Sequence, residues 1–73
     1  MVNVRVSFEL GLNGFTVLFL VECKWYNHMV DISEIEELIT KMDDIDAHKG
    51  IVFTTVGFQA SAVQTAKAYG IRG

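Results

Sequence analysis

The chain has 73 residues and a mass of 8.2 kDa; 51% of the residues are hydrophobic, 21% are charged, and none is proline. This composition excludes a disordered tail and a proline-rich linker, and a single cysteine, Cys23, excludes an intrachain disulfide scaffold. The longest apolar run, Val17 to Val21, is far shorter than the roughly 20 residues of a membrane helix, and the chain does not open with a secretion signal. We therefore expect one soluble, cytoplasmic domain over residues 1–73, without a membrane partner.

The net charge of -3 argues against non-specific coating of nucleic acid, which usually needs a basic protein. The net charge does not exclude a site-specific nuclease with a local positive groove. A chain of this length buries only about 60% of its extended surface on folding, so it makes a marginal monomer. With half of its residues apolar, we expect it to share its core with a second copy as a homo-oligomer.

The first third of the sequence predicts a β-hairpin. Residues 2–10 alternate between apolar and polar side chains, which indicates a strand with two different faces. Asn13-Gly14 then favours a tight turn, because both residues accept positive φ. Residues 15–26 are β-branched and aromatic, and their continuous apolar centre predicts a strand covered on both faces of a sheet.

The remainder predicts helix, strand, helix and a short final strand. Apolar residues at spacings of three and four indicate a helix over about 33–47, with a capping box at Ser33 and Glu36 and an end near Gly50. Residues 51–55 predict a strand, residues 58–69 a second helix, and residues 71–72 a strand stub. The strand–helix–strand crossover requires parallel strands, so the expected fold is α/β with a mixed sheet.

Glu22 and Lys24 are the residues that need an explanation. They alternate at the end of the most apolar strand, so both side chains project to one side. Buried charges must be paired or bound, because isolation costs several kcal/mol. The simple interpretation is an ion pair at a strand end. Ligands, however, bind beyond the carboxyl ends of parallel strands, where this pair lies.

Two other segments are predicted to reach the same edge. Gly57, Phe58 and Gln59 precede the second helix, whose free N–H groups favour an anion such as phosphate. In the hairpin, one turn length places Asn3 opposite Glu22 and the two-residue Asn-Gly turn places it opposite Lys24. In either register Asn3 lies beside the charged pair.

The stretches VECKWYN and AHKGIVFTTVGFQASAVQTAKAYGI resemble the PD-(D/E)xK nuclease superfamily, specifically its Mrr-like restriction endonuclease branch. The resemblance covers nearly the whole chain and implies a minimal restriction-endonuclease-like fold that acts on DNA. It also implies that Glu22, with the backbone carbonyl of Cys23, binds Mg²⁺, that Lys24 assists the attacking water, and that Gln59 assists in the same pocket.

The chain departs from this family pattern in two ways. The metal-binding Asp of the family falls at Asn3, whose neutral carbonyl oxygen is a weak ligand for a hard cation, and Glu9 is about 20 Å away along the strand. The helix that usually precedes the sheet is also absent, which favours self-association. Two hypotheses follow: a domain related to Mg²⁺-dependent DNA endonucleases whose activity is weakened or lost, or a non-catalytic oligomeric binding or assembly module that keeps the nuclease scaffold.

The remaining candidates point to structural roles. We expect His28 and His48 to lie in loops without a second metal ligand. Cys23 is expected to be a small core residue, and Trp25, on the same side of the strand, to pack there. Tyr26 lies on the Glu22 and Lys24 side, where bordering a groove and packing are equally favoured roles.

Overall fold

The computed structural model describes residues 2–73 as a four-stranded sheet with two helices. In chain order the elements are β1 (Val2–Leu12), β2 (Phe15–Trp25), α1 (Ile32–Asp44), β3 (Lys49–Thr54), α2 (Ala60–Ala68) and β4 (Ile71–Arg72). The sheet order is β1-β2-β3-β4; β1 is antiparallel to β2, and the other neighbours are parallel. The predicted element order and the mixed α/β sheet are confirmed.

The β1–β2 hairpin closes through a two-residue turn. Asn13 and Gly14 have φ values of 49° and 84°, a combination that suits the right-handed twist of the flanking strands. Leu12 therefore pairs with Phe15, and Asn3 pairs with Lys24. This is the second of the two predicted registers, and it also places Arg5 opposite Glu22.

Both helices pack on the same face of the sheet. The two crossovers step in the same direction along the sheet, and crossovers of one hand then place their helices on one side. The small residues Ala62 and Ala66 let α2 approach closely. The buried apolar core lies between the helices and this face and comprises Leu20, Val30, Ile35, Leu38, Val52, Ala62, Ala66 and Ile71.

The other face of the sheet is uncovered in this chain. The prediction that β2 is covered on both sides is therefore wrong, because no element of the described residues 2–73 packs there. Cys23 is exposed rather than a core residue, and Trp25 is 70% exposed rather than packed. Both side chains alternate with Glu22 and Lys24 and so point away from the helices.

The ends of α1 also differ from the prediction. Asp31 is the N-cap: its Oδ1 accepts from the backbone N–H of Glu34 at 3.1 Å and from the Ser33 hydroxyl at 2.6 Å. Ser33 thus supports the cap instead of forming a capping box. Gly50 does not end the helix but lies in β3, where a Cβ would come within 2.6 Å of the Met42 sulfur.

Candidate functional site

The buried carboxylate and ammonium at the end of β2 form the centre of the candidate site. Glu22 and Lys24 lie on the helix side of the sheet, and their side chains are 0% and 1% exposed. Lys24 Nζ is 3.2 Å from Glu22 Oε2. In the neighbouring strand they pair with Val52 and Thr54, so they lie near the carboxyl ends of both parallel strands. The predicted pairing of the two charges is confirmed.

Arg5 is the residue of this site that the sequence reasoning missed. It faces Glu22 across the β1–β2 ladder; its Nε donates to Glu22 Oε1, and its Nη2 forms an ion pair with the same oxygen. The Arg5 side chain is one-third exposed, whereas Glu22 is fully buried. The signal was available, because the two-residue turn that sets Asn3 opposite Lys24 necessarily sets Arg5 opposite Glu22.

Tyr26 fixes the other end of the pair. Its hydroxyl oxygen accepts a hydrogen bond from Lys24 Nζ at 3.1 Å. Burial by itself lowers the pKa of Lys24, but the hydrogen bond to Tyr26 and the negative charge of Glu22 outweigh it and raise that pKa above its ordinary value of 10.5. Lys24 is therefore charged at neutral pH and suits electrostatic stabilisation rather than proton abstraction.

Tyr26 connects this pair to the surface. Its ring stacks on His28 with 4.9 Å between centroids, and His28 Nε2 lies 3.0 Å from Glu34 Oε1. The carboxyl end of β3 is tied to the same loop, because Thr55 donates through Oγ1 to the carbonyl of Tyr26 at 3.1 Å. His28 thus helps to hold the loop, in line with the structural role expected for it.

His48 joins two strands instead of bordering this site. The His48 Nδ1 accepts a hydrogen bond from the backbone N–H of Leu18 at 2.9 Å, and the backbone N–H of His48 donates to the Leu18 carbonyl at 2.8 Å.

Gln59 lies near this edge but does not contact the charged pair. Its side chain is exposed, and the partners of Glu22 and Lys24 among residues 2–73 are Arg5, Tyr26 and each other. The backbone N–H of Gln59 donates to Val30, and Val30 donates to the carbonyl of Gly57. The segment before α2 is therefore joined to the segment before α1.

The predicted phosphate site at Gly57, Phe58 and Gln59 is only partly free for a ligand. Phe58 packs against the core, and the Gln59 N–H is already bonded. Gln59 is the N-cap residue of α2, and no side chain within the described chain caps this helix. Its first-turn N–H groups remain the donors for an anion. Phosphate binding here stays a prediction.

Asn3 and Cys23 take the places that the register dictates. Asn3 pairs with Lys24 across the ladder, and its side chain is exposed. The Cys23 backbone lies between Glu22 and Lys24, while its side chain is on the opposite face. Their assignment as metal ligands stays a prediction.

A divalent cation does not fit the observed arrangement. In the described residues no three His, Cys, Asp or Glu side chains come together as a metal-binding group. Glu22 supplies one carboxylate, while Arg5 and Lys24 supply two positive charges within contact of it. Glu22 Oε2 is buried without a hydrogen bond, but it faces the Lys24 ammonium. Hard cations prefer several anionic oxygens, whereas this cluster already carries a net positive charge.

The relationship to known proteins agrees with this fold. The Mrr_cat family model, described as restriction endonuclease, matches residues 5–72. The chain belongs to this restriction endonuclease family. The matched range includes Arg5, Glu22, Lys24 and Gln59, whereas Asn3 lies outside it. Families of restriction endonucleases generally use a divalent metal, which the cluster in this chain does not accommodate as it stands.

A solved structure supports the same restriction-endonuclease-like fold. The DNA modification-dependent restriction endonuclease AspBHI matches with a TM-score of 0.72 and 22% sequence identity, over 90% of this chain and 18% of that chain. At this identity the likeness concerns the fold alone, and the chain spans under one-fifth of that protein's length. No curated protein matches. None of the described helices is long and apolar enough to cross a membrane.

Proposed function

We propose that this domain is a nuclease domain acting on DNA whose cleaving site is retained in Glu22, Lys24 and Gln59 but works weakly. The observation that carries the proposal is the buried Glu22–Lys24 pair at the carboxyl end of β2, in a chain of the restriction endonuclease family. A solved structure with this fold is the DNA modification-dependent restriction endonuclease AspBHI. The site lies where α/β sheets usually bind ligands.

Lys24 is the residue to which we assign the electrostatic role. It keeps its charge at neutral pH, since Tyr26 and Glu22 both favour the protonated form. A fixed positive charge in a dry site stabilises the negative charge that develops on a phosphate under attack. Glu22 holds this ammonium in place, and Gln59, at the adjoining edge, is assigned to contact water or phosphate.

The weakness follows from the charges around Glu22. Asn3 contributes no negative charge, and Arg5 neutralises the one carboxylate of the cluster. The proposed cofactor is Mg²⁺, which Glu22 would hold only after Arg5 leaves its carboxylate, because the cluster with Arg5 in place does not accommodate a divalent cation. A carboxylate at position 3 would compete for the cations and add a second anionic oxygen ligand.

The test is cleavage of supercoiled plasmid DNA by the full chain with Mg²⁺ or Mn²⁺. We expect slow nicking by the native chain, at least tenfold faster nicking by Asn3→Asp, and none by the double variant Asn3→Asp with Lys24→Met. The matched control is Asn3→Gln, which keeps an amide and should behave like the native chain. Failure of Asn3→Asp to cleave, with its circular dichroism unchanged, would rule out the retained site.

The second candidate is a non-catalytic oligomeric module on the same scaffold. The Arg5–Glu22 ion pair favours it, because this contact stabilises the hairpin without any metal. The plasmid assay separates the candidates: under this alternative neither the native chain nor Asn3→Asp nicks DNA above the level of Lys24→Met.

A further inference from the structure

The uncovered side of the sheet is a continuous apolar surface, which we call the open face. It consists of the even-numbered residues 4–10 of β1, the odd-numbered residues 15–25 of β2, and Ile51 and Phe53 of β3. Phe8 and Phe19 stack near its middle, with ring centroids 4.8 Å apart and planes within 3°. This face has no part in the Glu22–Lys24 site, which lies on the helix side.

The open face has the area of one half of a protein–protein interface. Seven of its apolar residues are 44–74% exposed. At roughly 150–250 Å² for a large side chain, they present roughly 800 Å². Monomeric proteins rarely leave apolar patches of more than a few hundred Å² uncovered. A standard interface buries about 800 Å² from each partner.

The charges on the open face and the size of the chain indicate which partner covers this face. The β1 and β2 part of the open face has no charged side chain, whereas Lys49 and Arg72 lie on its β3–β4 side. A two-fold pairing centred on β1 and β2 matches apolar surface with apolar surface and leaves both basic groups toward the rim. Docking also adds apolar burial to a domain of 73 residues, which buries a smaller fraction of its surface than a larger domain does. We propose that a second copy of this chain docks on the open face, with the two sheets packed face to face.

The first test is the mass of the full chain in solution over a concentration series, by sedimentation equilibrium. We expect the native chain to approach twice 8.2 kDa. Val6→Lys places a charge midway along β1 on the open face, within the proposed contact, and should give a monomer. Ser7→Lys is the matched control, because the adjacent exposed side chain points to the other face and should leave the dimer intact.

Cys23 provides a second measurement that does not depend on a disruptive substitution. Its thiol is exposed in one copy and lies on the open face, so docking should protect it. We expect alkylation by iodoacetamide to slow several-fold as the native chain becomes dimeric, and to stay fast in Val6→Lys. Circular dichroism verifies that the variants are folded, and Phe53→Lys repeats the test from β3.

Three results would overturn the proposal. They are a native chain that stays at 8.2 kDa at every concentration, a dimer that folded Val6→Lys preserves, and a dimer in which Cys23 reacts at the monomer rate. The last two would place the contact between copies elsewhere. None of these results bears on DNA cleavage, so the two proposals fail independently.

Discussion

Arg5 lies directly opposite Glu22 in the β1–β2 ladder and donates to its buried carboxylate. Lys24 approaches the other carboxylate oxygen, so two cations share one anion. This relationship determines the charge of the candidate site and explains why a fully buried glutamate is tolerated.

Replacing Arg5 should affect both stability and metal binding. Arg5→Ala leaves Glu22 with Lys24 as its one charged partner, and we expect a loss of about 1–3 kcal/mol in the free energy of unfolding, toward the lower end because Arg5 is partly exposed. Urea denaturation measures this loss, with Ser7→Ala as the control on the same side of β1. In the Asn3→Asp background, Arg5→Ala should also tighten Mn²⁺ binding, by roughly tenfold, or about 1.4 kcal/mol. Equal affinities would show that Arg5 does not oppose the metal.

Lys24 should make stability depend on alkaline pH. Its pKa in the folded chain is above the ordinary value of 10.5, so its contribution is complete below pH 10.5 and is lost as the pH rises through the folded value. We expect the difference in melting temperature between the native chain and Lys24→Met to be constant from pH 7 to 10. Above pH 10.5 the melting temperature of the native chain should fall relative to that of Lys24→Met, because Lys24 loses its charge. Tyr26→Phe should weaken this dependence, because it removes the hydroxyl acceptor. A difference that is flat through pH 11 would contradict the assignment.

Substitutions at Asp31 and Ser33 test which of these two residues is the N-cap of α1. Asp31→Ala should lower the melting temperature more than Ser33→Ala, while Asp31→Asn should retain most of the cap. The hydrogen bonds from the Ser33 hydroxyl and the Glu34 N–H hold the pKa of Asp31 below 3.8. Its contribution is therefore present above pH 3.8 and is lost as the pH falls through the folded value. A greater effect of Ser33→Ala would support the capping box instead.

Replacing Gly57 tests whether the fold depends on the unusual backbone conformation next to the site. Its φ is 125°, a conformation that other residues rarely adopt, and its carbonyl accepts from Val30. We expect Gly57→Ala to destabilise the fold by about 1–3 kcal/mol. Gly11→Ala is the control. At both glycines an added Cβ meets no atom within 4 Å, but of the two only Gly57 has a positive φ. Thermal denaturation giving the same shift for both variants would exclude backbone strain as the cause.

Local patterns were sufficient for most of the fold. The period-two alternation of β1, the Asn13-Gly14 turn and the apolar spacing of α1 each depend on near neighbours, so the elements and their order could be predicted. The pairing of Glu22 with Lys24 was equally accessible, since alternate residues of a strand share a side. The family resemblance was predicted from residue patterns and confirmed by the match over residues 5–72.

Local sequence patterns therefore establish the strands, the helices and the two charges that must lie together. Tertiary structure decided which face of the sheet the helices cover, because that depends on the direction of both crossovers and not on any local period. It also decided which of the two predicted hairpin registers forms, and with it the contact of Arg5 with Glu22. Gln59 stays apart from Lys24, and Cys23 and Trp25 are exposed. Each of these features depends on residues that are distant in the chain, and their relative positions follow from strand register and packing.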